Sequence, residues 1–172
     1  VKGKAELLSF ENAIIATGSS SIMPPLFTKK GQNVMSSRDA LDLKEIPESV
    51  LVVGGGYIGL ELGTVYAAMG SKVSIVEMLG TLLPGADKDL VAPLKKSLKI
   101  SFEDIFIKTE VTGIRKNKSG ALTVNMKSGD TEFRKSFSHV LVAVGRAPNT
   151  NFLGLKKAGV IVGEDGFIQT NA

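Results

Sequence analysis

The sequence has no cysteine, no tryptophan, a single histidine and few aromatic residues. Without cysteine, these residues hold no disulfide framework, thiolate nucleophile, redox dithiol or sulfur-ligated metal. One histidine, His139, excludes a multi-histidine metal site. No apolar run approaches the ~20 residues of a membrane span. Val1-Lys2-Gly3-Lys4-Ala5-Glu6 does not lead into a secretory signal, and cytoplasmic placement is the expectation. Charge of one sign is scarce as well: 21 Lys and Arg face 17 Asp and Glu. The basic clusters, such as Lys95-Lys96 with Lys99, are short and lack interleaved aromatics. They read as solvated surface, with neither nucleic acid nor membrane as a partner.

What is present is 172 residues, 43% of them hydrophobic, enough for one compact domain with a core. Leu7 to Ala16 reads as a strand, followed by the turn-forming run Thr17-Gly18-Ser19-Ser20-Ser21. Residues 22–49 look irregular, with a short helical piece from Ser37 to Leu43. Val50-Leu51-Val52-Val53 is a continuous apolar strand of the kind buried on both faces. Ile58, Leu62, Val65 and Met69 then recur at helical spacing, and Gly70 is placed to cap that helix. Lys72 to Glu77 is the next strand, which completes a βαβ unit. Asp87 is a candidate N-cap for a second helix carrying Leu90, Val91, Leu94 and Leu98, with Pro93 expected to kink it or end its first stretch. Beyond Ile105 the period shifts toward two. Val111–Ile114, Leu122–Met126 and Glu132–Arg134 read as an antiparallel meander, before a buried strand from Val140 to Val144. A further strand is expected from Gly159 to Val162, near Phe167-Ile168. The fold class is α/β: a Rossmann-like parallel sheet with crossover helices and a three-stranded meander.

Gly54-Gly55-Gly56-Tyr57-Ile58-Gly59 fits G-x-G-x-x-G, leaves a buried strand and opens a helix, and Glu77 closes the following strand. Each part has a physical role in dinucleotide binding. Gly54 allows a tight turn, Gly56 lets a pyrophosphate approach the backbone, and Gly59 lets helix and strand pack closely. The helix N-terminus offers free N–H groups to phosphate. Glu77 accepts hydrogen bonds from a ribose 2′-hydroxyl and would repel a 2′-phosphate, which favours NAD over NADP. On spacing alone, Glu61 is an acid on the first helical turn and serves the helix dipole. Tyr57 reads equally as a packing aromatic or as a lid over the ligand. His139, before a buried strand, reads as a surface or strand-end histidine and not as a base.

Several segments resemble the flavoprotein disulfide reductases, and among them the dihydrolipoamide dehydrogenases. They are Ala13-Ile14-Ile15-Ala16-Thr17-Gly18-Ser19, the run Ile46 to Gly63, Glu77-Met78 with Leu82-Leu83-Pro84-Gly85-Ala86-Asp87, and Val142-Ala143-Val144-Gly145-Arg146-Ala147-Pro148-Asn149. The resemblance implies that residues 1–40 end a first FAD-domain segment, 41–150 form an NAD-binding domain, and 151–172 begin a second FAD segment. It implies that Gly54, Gly55, Gly56, Tyr57, Ile58, Gly59 and Glu61 form the NAD loop and that Glu77 holds the adenosine ribose. Val111 would lie against adenine, with Gly145 and Arg146 near the nicotinamide. Thr17, Gly18 and Ser19 would make a contact with FAD, and Glu61 would pair with a lysine beside the flavin. Between Ser97 and Thr109 the sequence departs from the family's glycine-bearing turn.

The activity implied is electron transfer from dihydrolipoamide, through a disulfide and FAD, to NAD+. The partner implied is the acyltransferase subunit of a 2-oxo acid dehydrogenase complex, and the whole enzyme would be a homodimer. The disulfide and the catalytic base would lie outside these residues, so no catalytic residue and no metal ligand is assigned, and the piece alone is expected to be inactive. An NADH oxidase or another disulfide or metal reductase shares the motifs. A non-catalytic NAD-binding module is the remaining reading, against which the FAD-type run Thr17 to Ser19 argues.

Overall fold

Strands run in chain order as β1 (Ser19–Ser21), β2 (Val34–Ser36), β3 (Ser49–Val53), β4 (Lys72–Glu77), β5 (Asp104–Ile107), β6 (Thr109–Lys116), β7 (Leu122–Ser128), β8 (Thr131–Phe137), β9 (His139–Val142) and β10 (Arg146–Pro148). The helices are α1 (Ser37–Leu41), α2 (Tyr57–Ala68) and α3 (Lys88–Ser101). The structure, a computed structural model, describes residues 7–28, 31, 33–42 and 44–171. The chain divides into two units, Ser21–Arg146 and Val1–Ser20 together with Ala147–Ala172.

In the larger unit the unbroken apolar run of β3 explains its place at the middle of a parallel sheet, ordered β2-β9-β3-β4-β5. Alternate residues of one strand feed two separate cores. Val50 and Val52 of β3 join Val73, Ile75 and Leu141 beneath the helices, against Leu60, Tyr66, Leu98 and Phe102. Leu51 and Val53 join Val76, Val140 and Val142 on the opposite face, against Ile114, Leu122, Val124, Met126 and Phe137 of the meander β6-β7-β8. That second face explains the period-two pattern: the meander buries one side on the sheet and leaves its other side in water.

α2 packs on the sheet through glycine as well as through apolar side chains. Its buried positions are Gly59, Leu60, Leu62, Gly63 and Tyr66, whereas Val65 is 45% exposed. Of the stripe expected from Ile58, Leu62, Val65 and Met69, Leu62 is buried and Ile58 packs against the core, whereas Val65 is exposed and the closest approach is made by glycine, which carries no hydrophobic signal. A Cβ on Gly59 would collide with the Gly54 carbonyl oxygen, and one on Gly63 would lie 2.9 Å from the Phe102 ring. Gly70 follows the helix at φ 99° and its N–H donates to the Ala67 carbonyl, a left-handed C-terminal cap.

Other expectations are corrected by packing. Leu7 to Ala16 forms no strand, and Leu7, Leu8, Phe10 and Ile14 are exposed. Strands exist by pairing, and among the described residues no strand pairs with this segment. α1 ends at Leu41; Leu43, the expected end, lies outside the described residues, as do Val1 to Glu6. Its start is a capping box: the Ser36 hydroxyl accepts from Asp39 N–H, and the Asp39 carboxylate accepts from Ser36 N–H at 2.8 Å. The Ser36 hydroxyl and N–H hold the Asp39 carboxyl below its ordinary range. α3 starts after Asp87 as expected but runs through Pro93 unbroken. The amide that proline lacks leaves only the Asp89 carbonyl, on an exposed residue, without its helical partner. Leu90 is exposed, and Val91 and Leu98 carry the buried face. β5, unanticipated, pairs in parallel with β4 from Ser74↔Asp104 to Glu77↔Ile107, so the atypical segment after Ser97 keeps the sheet in register. β9 ends at Val142, and Ala143 and Val144 leave the sheet. His139 begins β9 but is 8% exposed, with Nε2 at 2.9 Å from the Glu45 carboxylate.

In the smaller unit, the strand expected near Gly159 reduces to one antiparallel bridge, Val162↔Ile168, preceded by a 3-10 turn at Leu155–Ala158.

Gly→Ala in an open helix is stabilising by up to about 1 kcal/mol. At Gly59 the collision reverses that sign. Gly59→Ala should lower stability by about 1–3 kcal/mol, read from urea unfolding.

Candidate functional site

Parallel register brings four strands to a common end. Ser36 of β2 is paired with Val142, Val142 with Val53 of β3, and Val53 with Val76 of β4. Ser37, Ala143 and Gly54, which leave the sheet there, and Glu77, the last residue of β4, form a row along its carboxyl edge. Ligands of open α/β sheets bind at this edge, where the strand order reverses on either side of a central strand. Here the chain moves from β3 outward to β4 and β5, then returns through β9 to the other side. A cleft of about 690 Å³ opens above the row.

Its floor is the glycine turn. Gly54 has φ 109°, and a Cβ there would strike the Ala143 carbonyl, so the position accepts only glycine without strain. Gly56 differs: φ is −76°, and a Cβ would meet no protein atom within 4 Å. Neither backbone conformation nor packing requires glycine at Gly56. Gly56 lines the cleft, so a side chain there would occupy cleft space without touching the protein. Gly56 is also the N-cap of α2, with no side chain to cap the helix and no acid in its first turn. The first N–H groups of a twelve-residue helix are thus left for an anion.

Glu77 is 9% exposed and holds this turn in place. One carboxylate oxygen accepts from Gly55 N–H at 2.6 Å, and the other from Leu79 N–H at 2.7 Å. Each oxygen keeps further lone-pair capacity toward the cleft. The Gly55 amide is consequently directed at the carboxylate and not at a phosphate.

Residues 1–172 match the Pyridine nucleotide-disulphide oxidoreductase family throughout. The chain belongs to that family. It is 40% identical over 171 residues to the dihydrolipoyl dehydrogenase of Vibrio parahaemolyticus, covering 99% of this chain and 36% of the relative. It is 42% identical to that of Buchnera aphidicola from Schizaphis graminum over 163 residues, 94% of this chain and 34% of the relative. Among solved structures it is similar to the HOCl-induced flavoprotein disulfide reductase RclA of Escherichia coli, with TM-score 0.77 and 31% identity over 90% of this chain and 35% of that one. LpdA of Mycobacterium tuberculosis gives TM-score 0.78 and 26% identity over 90% of this chain and 33% of that one. The chain spans about a third of the length of the curated relatives it matches.

In this pyridine nucleotide-disulphide oxidoreductase chain, Gly54, Gly56, Tyr57, Ile58, Glu77, Val111, Gly145 and Arg146 all line the one cleft. Gly55 and Gly59 lie behind it, as clamp point and packing contact. Glu61 does not line it: it is the fifth residue of α2, past the first turn expected for it, and exposed. Thr17, Gly18 and Ser19 belong to the other unit. There the Thr17 and Gly18 carbonyls accept from Asn149, at 3.0 and 2.9 Å, and the cleft of that unit, between Gly163 and Gln169, includes none of the three. Ser21, Phe27, Ser37 and Thr109 also line the cleft. No motif marks them, since each arrives from a segment distant in sequence. Among the described residues no helix is long and apolar enough to cross a membrane.

Removing the carboxylate leaves the buried Gly55 N–H unpaired. Glu77→Ala should cost about 1–3 kcal/mol of stability, measured by chemical denaturation with circular dichroism.

Proposed function

We propose that this chain is the NAD-binding portion of a dihydrolipoyl dehydrogenase, with residues 41–150 as the NAD domain and residues 1–40 and 151–172 as flanking parts of an FAD domain. The observation that carries the reading is Gly56, a glycine needed by neither fold nor backbone, at an uncapped helix N-terminus inside the cleft. The residues present fit a pyridine dinucleotide. The α2 N-terminus and Gly56 would take the pyrophosphate, and the remaining lone pairs of Glu77 the adenosine ribose hydroxyls. Val111 would lie against the adenine, and Gly145 and Arg146 at the nicotinamide. When bound, NAD+ supplies the hydride acceptor; the chain's part is to hold and orient it.

In the whole protein, FAD and a redox disulfide would carry electrons from dihydrolipoamide on the acyltransferase of a 2-oxo acid dehydrogenase complex, within a cytoplasmic homodimer. Thr17, Gly18 and Ser19 would then meet FAD, and Glu61 would face the flavin side. The identities of about 40% to dihydrolipoyl dehydrogenases, sustained over almost the whole chain, support this substrate class. A second reading, another disulfide or metal reductase of the same family, has the similarity to RclA on its side, one structure of which is a Cu(II) complex.

Calorimetric titration of the chain tests the reading. NADH should bind at least about 10-fold more tightly than NADPH, because a 2′-phosphate meets the charge of Glu77. Gly56→Ala should weaken NADH binding by at least about 10-fold while lowering the melting temperature by no more than about 4 °C. Equal binding of NADPH, or undiminished binding by Gly56→Ala, would sink the assignment.

A further inference from the structure

We propose that the hydroxyl pair Ser21–Ser37 recognises the carboxamide of a bound nicotinamide and so separates intact pyridine dinucleotides from other adenine nucleotides in this cleft. The inference rests on the dinucleotide reading above and extends it to residues that no motif marks. Ser21 Oγ and Ser37 Oγ lie 2.9 Å apart, and either can donate. Both line the cleft, and Ser37 is 7% exposed.

Two hydroxyls joined by one hydrogen bond keep one O–H to donate and lone pairs on both oxygens to accept. A primary carboxamide asks for that combination: its C=O takes the free O–H, and its NH2 donates to the neighbouring oxygen. The cleft is also lined by Pro24, Leu26, Phe27, Val142 and Val144, whose apolar side chains cannot meet an amide. An amide buried there unpaired would be strongly disfavoured, so the serines decide whether it can enter.

Position supports the same assignment. Ser37 follows β2 and Glu77 ends β4, with β9 and β3 between them and all four strands level. The serine pair and the carboxylate are thus about 14 Å apart, three inter-strand spacings, on opposite sides of the glycine turn. A dinucleotide with its adenosine ribose at Glu77 and its pyrophosphate at the turn has its other base on the Ser37 side. Ser37 is also held firmly, because the capping box between Ser36 and Asp39 fixes the backbone immediately before it. Ser21 is steadied by the next residue, whose N–H donates to the Gly145 carbonyl at 3.0 Å.

The test compares NADH with ADP-ribose, which keeps the adenosine and pyrophosphate but lacks the nicotinamide. Both are titrated calorimetrically into the chain and into Ser37→Ala and Ser21→Ala, with melting curves to verify folding. Each substitution should weaken NADH about 3- to 10-fold, the worth of one neutral hydrogen bond, and leave ADP-ribose within about twofold. Equal weakening of both ligands, or no weakening of NADH by either variant, would overturn the proposal and leave the pair a structural tie. If the unsubstituted chain binds ADP-ribose but discriminates nothing in favour of NADH, the serine proposal alone fails. If it binds neither ligand, the dinucleotide reading fails and takes this proposal with it.

Discussion

Everything in the larger unit depends on α2 starting directly on the end of β3 with almost no space between them. Gly54 turns the chain where a Cβ would strike Ala143, and Gly59 then lies against the Gly54 carbonyl. The helix can approach so closely only because both contacts are made by backbone. This approach aims the first amides of α2 across the sheet's carboxyl edge and leaves Gly56 facing open space. A larger residue at either contact would move the helix axis outward and carry the first amides of α2 away from the row of strand ends.

Glu77 binds the second constraint to the first. Its carboxylate is tied to the backbone of the glycine turn through Gly55 and to its own loop through Leu79. The residue proposed to read a ribose is therefore also the residue that fixes the glycine turn, which ties the two halves of the cleft together. Around them the sheet is rigid because both faces are covered, by helices on one side and by the meander on the other. A cleft at the edge of such a sheet is largely formed before any ligand arrives.

Legibility in the sequence followed the range of each interaction. β3, β4 and the meander announced themselves through runs and alternation, because a strand's own residues determine which face is apolar. The glycine turn and Glu77 were legible through spacing, since a βα turn and the end of the next strand are local features of one βαβ unit. The buried face of α2 is only partly legible: Leu62 is buried as its spacing implies, but Gly59 and Gly63 make the closest contacts without an apolar side chain. β2 and β5, at three and four residues, are too short for a periodic pattern, and they exist through pairing with β9 and β4. Leu7 to Ala16 shows the converse: β-prone residues form no strand where no described residue pairs with them.

By itself, then, the sequence determined the parallel α/β core, the dinucleotide-type turn and the acid that clamps it, since each is encoded within a few tens of contiguous residues. Only the tertiary structure decided which residues complete the cleft. Ser21, Ser37 and Thr109 come from three separate segments, β1, α1 and β6, and meet at the cleft only in the folded unit. The physical reason is that register and close packing are properties of pairs of segments, and no single segment carries them.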